Sequence, residues 1–143
     1  MDDMVRKWGE DVARRGFAQI PNYLLLINNF IDKDRILKPI DLLLLIELVG
    51  SWWKVEDQPF PSARTLAARC GVSERQIFRS LSKLEELSLI SKTKRRHKGI
   101  VSSNAYDLQP LVDVLAEIAK VYPTEFPRRI RKKGASVSVD EEK

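Results

Sequence analysis

Apolar residues are most concentrated in the first half of the chain. Between Leu42 and Val49 every residue except Glu47 is apolar. Pro39 and Asp41 precede this run, and both residue types favour the first turn of a helix. The pattern predicts a helix that begins at Pro39, lasts to about Trp53 and is buried on most sides.

Two further helices are predicted on either side of a short turn, Gly71-Val72-Ser73. Ser62 is a suitable N-cap for a helix over residues 63–70, whose inward positions are Leu66, Ala67 and Cys70. Gly71 suits the left-handed position that follows a helix end. A helix, a tight turn and a second helix are therefore expected in this region.

The helix after the turn has two contrasting faces. Ser73 with Gln76 three residues later forms a capping box and predicts a helix from Glu74 to about Ser88. At 100° per residue, Ile77, Leu81 and Leu84 fall within about 60° of one another and form the expected core face. The opposite side carries Arg75, Arg79, Ser82 and Glu86, with Lys83 and Gln76 beside them.

Weaker patterns flank these helices. Residues 2–15 suit a short amphipathic helix or an arm, residues 17–20 are strand-like, and residues 23–30 suit one or two helical turns. Ile90–Arg95 and Asn104–Leu108 alternate as two strands of a hairpin, with Arg96-His97-Lys98-Gly99 as the loop. Pro110 begins a last helix that ends at Tyr122, and its apolar stripe packs on its own domain or on a second subunit. That stripe consists of Leu111, Leu115, Ile118 and Tyr122.

These elements predict a mainly α fold with a small β hairpin. The expected organisation is an N-terminal arm or helix (1–15), a domain that contains the two helices, their turn and the hairpin (16–108), a C-terminal helix with a possible dimerisation role (109–123) and a flexible tail (124–143). The tail contains a basic cluster at 128–133, which is either an arm that reaches DNA or a solubilising segment.

Positive charge is concentrated in the middle of the chain. The 143 residues carry 25 Lys and Arg against 20 Asp and Glu, a net charge of +5. Residues 1–61 sum to −2, residues 62–108 to +6 and residues 109–143 to +1. Five basic residues lie within Lys92–Lys98 without an acidic residue among them. This distribution favours a polyanionic partner over a uniformly solvated surface.

The composition argues against an enzyme. The chain has one histidine, His97, and one cysteine, Cys70, which are too few for a Cys/His zinc site or a disulfide. Neither GxxxxGK[ST] nor GxGxxG occurs, so no phosphate-binding loop is expected. No cofactor, metal or membrane span is expected. The acidic start without an apolar segment predicts a cytoplasmic protein.

The outer face of the 74–88 helix carries residue types that read base edges in DNA-binding proteins. Arginine pairs with guanine and glutamine with adenine in the major groove. A capped helix N-terminus also favours a nearby phosphate, and a basic hairpin next to the helix can contact the backbone. The DNA-binding residues predicted on this basis are Ser62, Arg64, Thr65, Ser73, Arg75, Gln76, Arg79, Lys83, Lys94, Arg95, Arg96, His97 and Lys98.

A longer motif spans the two helices and their turn: Pro61-Ser62-x-x-x-Leu66-Ala67-x-x-x-Gly71-Val72-Ser73-x-x-x-Ile77-x-x-x-Leu81-x-x-Leu84-x-x-x-x-Leu89-Ile90. It resembles winged helix-turn-helix domains such as the GntR-type DNA-binding head. With Gly16-Phe17-x-x-Ile20-Pro21-Asn22 and Ser103-Asn104-x-Tyr106-x-Leu108, the chain more closely resembles the helix-turn-helix domains of phage and plasmid replication-initiator and regulator proteins. Two positions depart from that family: Ser88 replaces a usual glycine, and Lys38 replaces a usual Ser or Thr.

The resemblance implies a bacterial protein that is associated with the nucleoid or a plasmid and binds double-stranded DNA. It leaves three functions open. The first is a transcriptional regulator, and the second is a plasmid or phage replication initiator or maintenance factor that binds origin repeats. The third is a winged-helix protein-interaction module. The 35 residues after the hairpin are too few for an effector domain, so no small-molecule effector is expected. A homodimer and a replication or transcription protein partner are expected.

Overall fold

A computed structural model describes residues 2–97 and 100–125 of the chain, with side chains for 2–94 and 104–125. The helices are α1 (Asp3–Trp8), α2 (Glu10–Arg14), α3 (Asn22–Leu25), α4 (Pro39–Gly50), α5 (Ala63–Cys70), α6 (Glu74–Glu86) and α7 (Gln109–Val121). Short 3₁₀ turns cover Ile27–Asn29 and Lys33–Arg35. Strands β1 (Ser91–His97) and β2 (Ile100–Asp107) form an antiparallel hairpin. The predicted fold class, mainly α with a small β hairpin of the winged helix-turn-helix type, is confirmed.

Helix α4 begins at Pro39 as predicted, although Lys38 has no side-chain acceptor that could cap it. The backbone N–H of Lys38 instead donates to the Asp41 carboxylate at 3.0 Å. The helix ends at Gly50, three residues earlier than predicted, where the Ser51 hydroxyl donates to the Glu47 carbonyl at 3.0 Å. Trp52 then packs against the core, whereas Trp53 is 77% exposed.

Helices α5 and α6 follow the local signals that predict them. Ser62 Oγ accepts a hydrogen bond from the N–H of Thr65 at 3.1 Å, and α5 spans the predicted residues 63–70. Gly71 has φ 70° and ψ 34°, a left-handed conformation that glycine adopts without strain. Ser73 Oγ caps α6 by accepting from the N–H of Gln76 at 3.1 Å.

Helix α6 buries the predicted face and ends two residues before Ser88. Ile77, Leu81 and Leu84 are 0%, 2% and 0% exposed. At its end Ser88 adopts φ 59°, its N–H bonds the Glu85 carbonyl, and the N–H of Leu89 bonds the Leu84 carbonyl, both at 3.0 Å. This pair of bonds is a Schellman motif, whose left-handed residue is usually glycine.

One continuous apolar core joins the described helices to the base of the hairpin. Its buried residues come from α3 to α7, the connecting segments and β2. They are Leu24, Ile27, Leu37, Leu44, Leu45, Leu48, Val49, Leu66, Ala67, Ile77, Leu81, Leu84, Leu89, Ile90, Tyr106, Leu108, Leu111 and Ile118.

The apolar stripe of α7 packs on its own chain. Leu111 and Ile118 are 2% and 7% exposed, and Leu115 is partly buried against the same core. The Tyr122 ring lies 4.9 Å from that of Phe30, between centroids, and the Tyr23 hydroxyl donates to the Tyr122 carbonyl. Of the two alternatives for this stripe, the structure shows the first. Tyr122 is 41% exposed, and the prediction that this helix joins two copies stays a prediction.

The N-terminal segment differs from its predicted form. Gly9 interrupts residues 2–15 with φ 83° and ψ 160°, so two short helices replace one, and neither has a buried residue. Residues 17–20 form no strand. Instead the Phe17 ring lies 6.5 Å from the Trp8 ring, between centroids.

The hairpin is longer than predicted because Arg96 and His97 pair as strand residues with Val101 and Ile100. Ile90 is not a strand residue but a buried residue that precedes β1. The register shifts between Lys94 and Arg96. Two contacts attach the hairpin base: the N–H of Tyr106 bonds the Pro59 carbonyl at 2.8 Å, and Lys92 lies 3.6 Å from Glu85. Lys98, Gly99 and the predicted tail from residue 126 onward lie outside the described residues.

Candidate nucleic-acid interface

The outer face of α6 exposes long polar side chains directly opposite its buried face. Arg75, Arg79 and Ser82 are exposed, as the helical wheel predicts. Phe78 belongs to the same face and is 55% exposed. An amphipathic helix that follows a tight turn can present such a face to the major groove, which is wide enough to admit a helix.

Gln76 lies at the edge of this face and is held by its neighbours. Its Nε2 donates to Ser80 Oγ at 3.1 Å, and its Oε1 accepts from Arg79 NH1 at 3.3 Å. The Ser73 half of the predicted capping box is thus present, whereas the amide of Gln76 is used one turn further along the helix. The side chain is half-buried, so its predicted contact with a base would require these hydrogen bonds to be exchanged.

Lys83 takes a structural position that the wheel does not predict. Its Nζ lies 2.8 Å from Asp41 Oδ2 and 3.3 Å from the Ile36 carbonyl oxygen. The Asp41 side chain is 3% exposed and that of Lys83 is 31% exposed. The ammonium group of Lys83 thus neutralises a buried carboxylate and joins α6 to α4, and the DNA contact assigned to Lys83 stays a prediction.

Asp41 is the buried charge of this contact. Burial alone would raise the pKa of its carboxyl group, since desolvation disfavours the charged form. Hydrogen bonds from Lys83, the Lys38 backbone and Ser80, together with the charge of Lys83, outweigh that effect and hold the pKa of Asp41 below its usual value. The carboxylate therefore stays ionised and fixes α6 on α4 at neutral pH.

The C-terminal end of α6 is held by the segment before α4. Arg35 NH2 donates to the Leu87 carbonyl at 2.7 Å, where a helix end lacks partners for its carbonyls. Asn28 in turn fixes that segment, because its side-chain amide donates to the Leu37 carbonyl at 2.9 Å and accepts from the Leu37 N–H at 2.8 Å. The contacts of this segment with α6 involve its last two turns and leave Arg75 and Phe78 exposed.

The residues of this region that are predicted to bind DNA, Ser62, Arg64 and Thr65, lie at the N-terminal end of α5. The Ser62 hydroxyl donates to Thr65 Oγ1 at 3.0 Å, so both side chains take part in capping the helix. Arg64 is exposed beside them. Arg69, also exposed, forms an ion pair with Glu47 of α4.

The basic residues of the hairpin are partly described. Lys94 is exposed and pairs in register with Asn104. The backbones of Arg95, Arg96 and His97 form the last part of β1, while Lys98 lies beyond the described strand. The DNA contacts assigned to these residues remain predictions.

Sequence reasoning missed three residues that shape the site. Phe78 stands three positions after Arg75, a spacing that places it on the outer face, but its apolar character hides it among core candidates. The sequence indicates Asp41 only as a helix-start residue, because its burial depends on α6, far along the chain. Arg35 has no sequence signal, since its partner is a backbone carbonyl 52 positions away.

Metal sites, membrane spans and reactive thiols each have requirements with which the described residues can be compared. No group of three or more His, Cys, Asp or Glu in that part of the chain could hold a metal ion. Within the same residues, no helix is long and apolar enough to cross a membrane. Burial, followed by the charge of Glu47, raises the pKa of the Cys70 thiol, which disfavours the reactive thiolate.

In the described residues, α5, the turn Gly71–Ser73 and α6 form a helix-turn-helix. The β1–β2 hairpin follows α6. Residues 35–90 match the family model described as "Helix-turn-helix domain", and this segment runs from Arg35 through α4, α5 and α6 to Ile90. A search of curated proteins found no match. The fold of this segment is thus that of a helix-turn-helix, and its similarity to this family suggests DNA binding.

Proposed function

We propose that this protein binds double-stranded DNA in a sequence-specific manner and acts as a transcriptional regulator. In this proposal the first turns of α6 enter the major groove, where Arg75 and Arg79 read base edges. The β1–β2 hairpin contacts the phosphate backbone beside that groove. Direct base contacts would supply specificity, and phosphate contacts would supply position and affinity.

The observation that carries the proposal is the two-sided structure of α6. Ile77, Leu81 and Leu84 are buried, so the arginines on the opposite side are fixed outward by the core itself. The family match places this helix at the end of a helix-turn-helix segment. The net charge of +6 over residues 62–108 supports a polyanionic partner, because it coincides with α5, α6 and the hairpin.

Selection of bound fragments from random double-stranded DNA tests the proposal. The full chain should enrich a defined motif. Arg75→Ala and Arg79→Ala should each weaken binding to that motif by about 1–3 kcal/mol and relax the preference at one base pair. Arg14→Ala is the matched control, because Arg14 is an exposed arginine of α2 outside the proposed interface.

Three results separate this function from its alternatives. An equal loss on target and random DNA would show that the two arginines contact phosphates alone. Iterated copies of the motif at a replication origin would favour the initiator or maintenance function, whereas isolated sites near promoters favour regulation. Failure to enrich any motif would contradict sequence-specific binding and favour the protein-interaction module.

A further inference from the structure

Phe78 is the exposed aromatic residue of α6. More than half of its surface is open to solvent, although the buried face of the helix lies one residue away at Ile77. Side chains three and four positions apart share a helix face, so Phe78 stands in one strip with Arg75 and Ser82. The ring therefore belongs to the surface that α6 would present to DNA.

The chemistry of the major groove offers one apolar group to such a ring. Adenine, guanine and cytosine present hydrogen-bonding atoms there, whereas thymine also presents its C5-methyl group. We propose that Phe78 is a specificity-determining residue that recognises thymine through this methyl group. This inference depends on the DNA-binding function proposed above and adds to it one named base.

The spacing along the helix locates that thymine. A helix rises about 1.5 Å per residue, so Phe78 lies about 4.5 Å along the axis from Arg75. Successive base pairs are about 3.4 Å apart. The thymine should therefore lie within one or two positions of the base read by Arg75, and replacement of Arg75 and of Phe78 should relax neighbouring positions of the motif.

Replacement of thymine by deoxyuridine tests the contact, since it removes the methyl group and leaves the pairing edge unchanged. Each thymine of the selected motif is replaced singly, and binding of the full chain is measured by titration. Removal of one buried methyl group should weaken wild-type binding about fourfold at one thymine. Phe78→Ala should bind the thymine site more weakly and should no longer distinguish thymine from deoxyuridine at that position.

Two variants serve as controls. Phe60→Ala removes a phenylalanine of similar exposure, 53%, from the segment between α4 and α5, and it should keep the full methyl effect. Phe78→Leu keeps an apolar side chain and should keep part of the methyl effect. Because Phe78 is exposed, the alanine variant should fold like the wild type, and its thermal unfolding checks this directly.

The inference fails if wild-type protein tolerates deoxyuridine at every thymine, or if Phe78→Ala remains as sensitive to the methyl group as the wild type. Either result would show that the Phe78 ring does not recognise thymine, and would favour its contact with a protein partner. Both results are distinct from failure of the DNA-binding function, in which no motif is enriched and no titration on a specific site is possible.

Discussion

At the scale of single residues, Ser88 occupies a left-handed position that disfavours side chains. Such a conformation costs an L-residue about 1–2 kcal/mol, part of which glycine would lose again through its greater freedom in the unfolded chain. Ser88→Gly should therefore raise the free energy of unfolding by about 0.5–1 kcal/mol. Denaturant unfolding measures the change.

The control for Ser88 is the same substitution inside the helix. Ser82 is exposed in α6, where glycine costs about 1 kcal/mol relative to good helix formers, so Ser82→Gly should destabilise. A loss of stability in both variants would show that Ser88 makes a contact worth more than the backbone strain.

Asp41 and Lys83 form an ion pair that joins α6 to α4. Lys83→Met removes the charge that balances a buried carboxylate and should lower the free energy of unfolding by about 2–4 kcal/mol, less than for a fully buried pair because Lys83 is partly exposed. Adding Asp41→Asn should recover part of that loss, since no unpaired charge remains. Denaturant unfolding of the single and double variants at neutral pH measures both effects.

A different result would support the prediction that Lys83 binds DNA. If Lys83→Met unfolded like the wild type and instead bound DNA more weakly, its ammonium group would be a phosphate contact. Comparison of stability and affinity in one variant therefore separates the two roles.

The lowered pKa of Asp41 predicts an acid-sensitive component of stability. The folded state favours the carboxylate, so its contribution is complete above the unfolded pKa of about 3.9 and is lost as pH falls through the lower folded value. Below about pH 4, wild-type stability should fall more steeply than that of Asp41→Asn. Denaturant unfolding at a series of pH values tests this, and parallel curves would contradict it.

At the scale of elements, the hairpin should add affinity for all DNA sequences. Removing one basic side chain that binds a phosphate lowers the slope of log K against log salt by about 0.9. Replacement of Lys94, Arg95, Arg96 and Lys98 by alanine should weaken binding to target and random DNA alike, and flatten the slope by up to about three or four units. Titrations at several salt concentrations measure the slope.

The N-terminal segment that contains α1 and α2 provides a control with the same change in net charge. Replacing Arg6, Lys7, Arg14 and Arg15 by alanine also removes four positive charges, but from α1, α2 and the residue that follows. This variant should keep most of the salt dependence. Equal slopes in both quadruple variants would indicate that net charge acts on DNA without a local contact by the hairpin.

At the scale of the whole molecule, α7 closes the core. Leu115→Glu places a charge against that core and should lower the thermal unfolding temperature without changing the association state. Leu111→Ala should lower the free energy of unfolding by about 2–5 kcal/mol. Sedimentation measures the association state and thermal unfolding measures the stability of the same samples. A wild-type dimer that dissociates in Leu115→Glu while the chain stays folded would show that Leu115 joins two copies.

The sequence predicts those parts of the fold that depend on neighbouring residues. Ser62, Gly71 and Ser73 define helix ends through bonds within three or four positions, and the structure has those ends where they are expected. Contacts distant in sequence are different, because nothing near Lys83 indicates Asp41, which lies 42 positions away.

The same distinction explains the other features that the sequence left open or predicted differently. The stripe of α7 has the same pattern whether it packs on its own core or on a partner, so spacing alone cannot decide between them. The strand-like residues 17–20 lack a partner strand, and only the fold shows that Phe17 meets Trp8. The hairpin extends beyond its alternating residues because Arg96 and His97 are paired by backbone bonds, which do not depend on side-chain polarity.

Arg35, Lys83 and Asp41 all hold the last two turns of α6, whereas Arg75 and Phe78 project from its first two. Substitutions at exposed positions away from structural contacts usually change stability by less than about 0.5 kcal/mol. The exposed residues of the first two turns can therefore be replaced while the contacts of the last two turns keep the fold intact. If the proposed interface is correct, a library randomised at Arg75, Phe78 and Arg79 should yield folded variants with new target preferences.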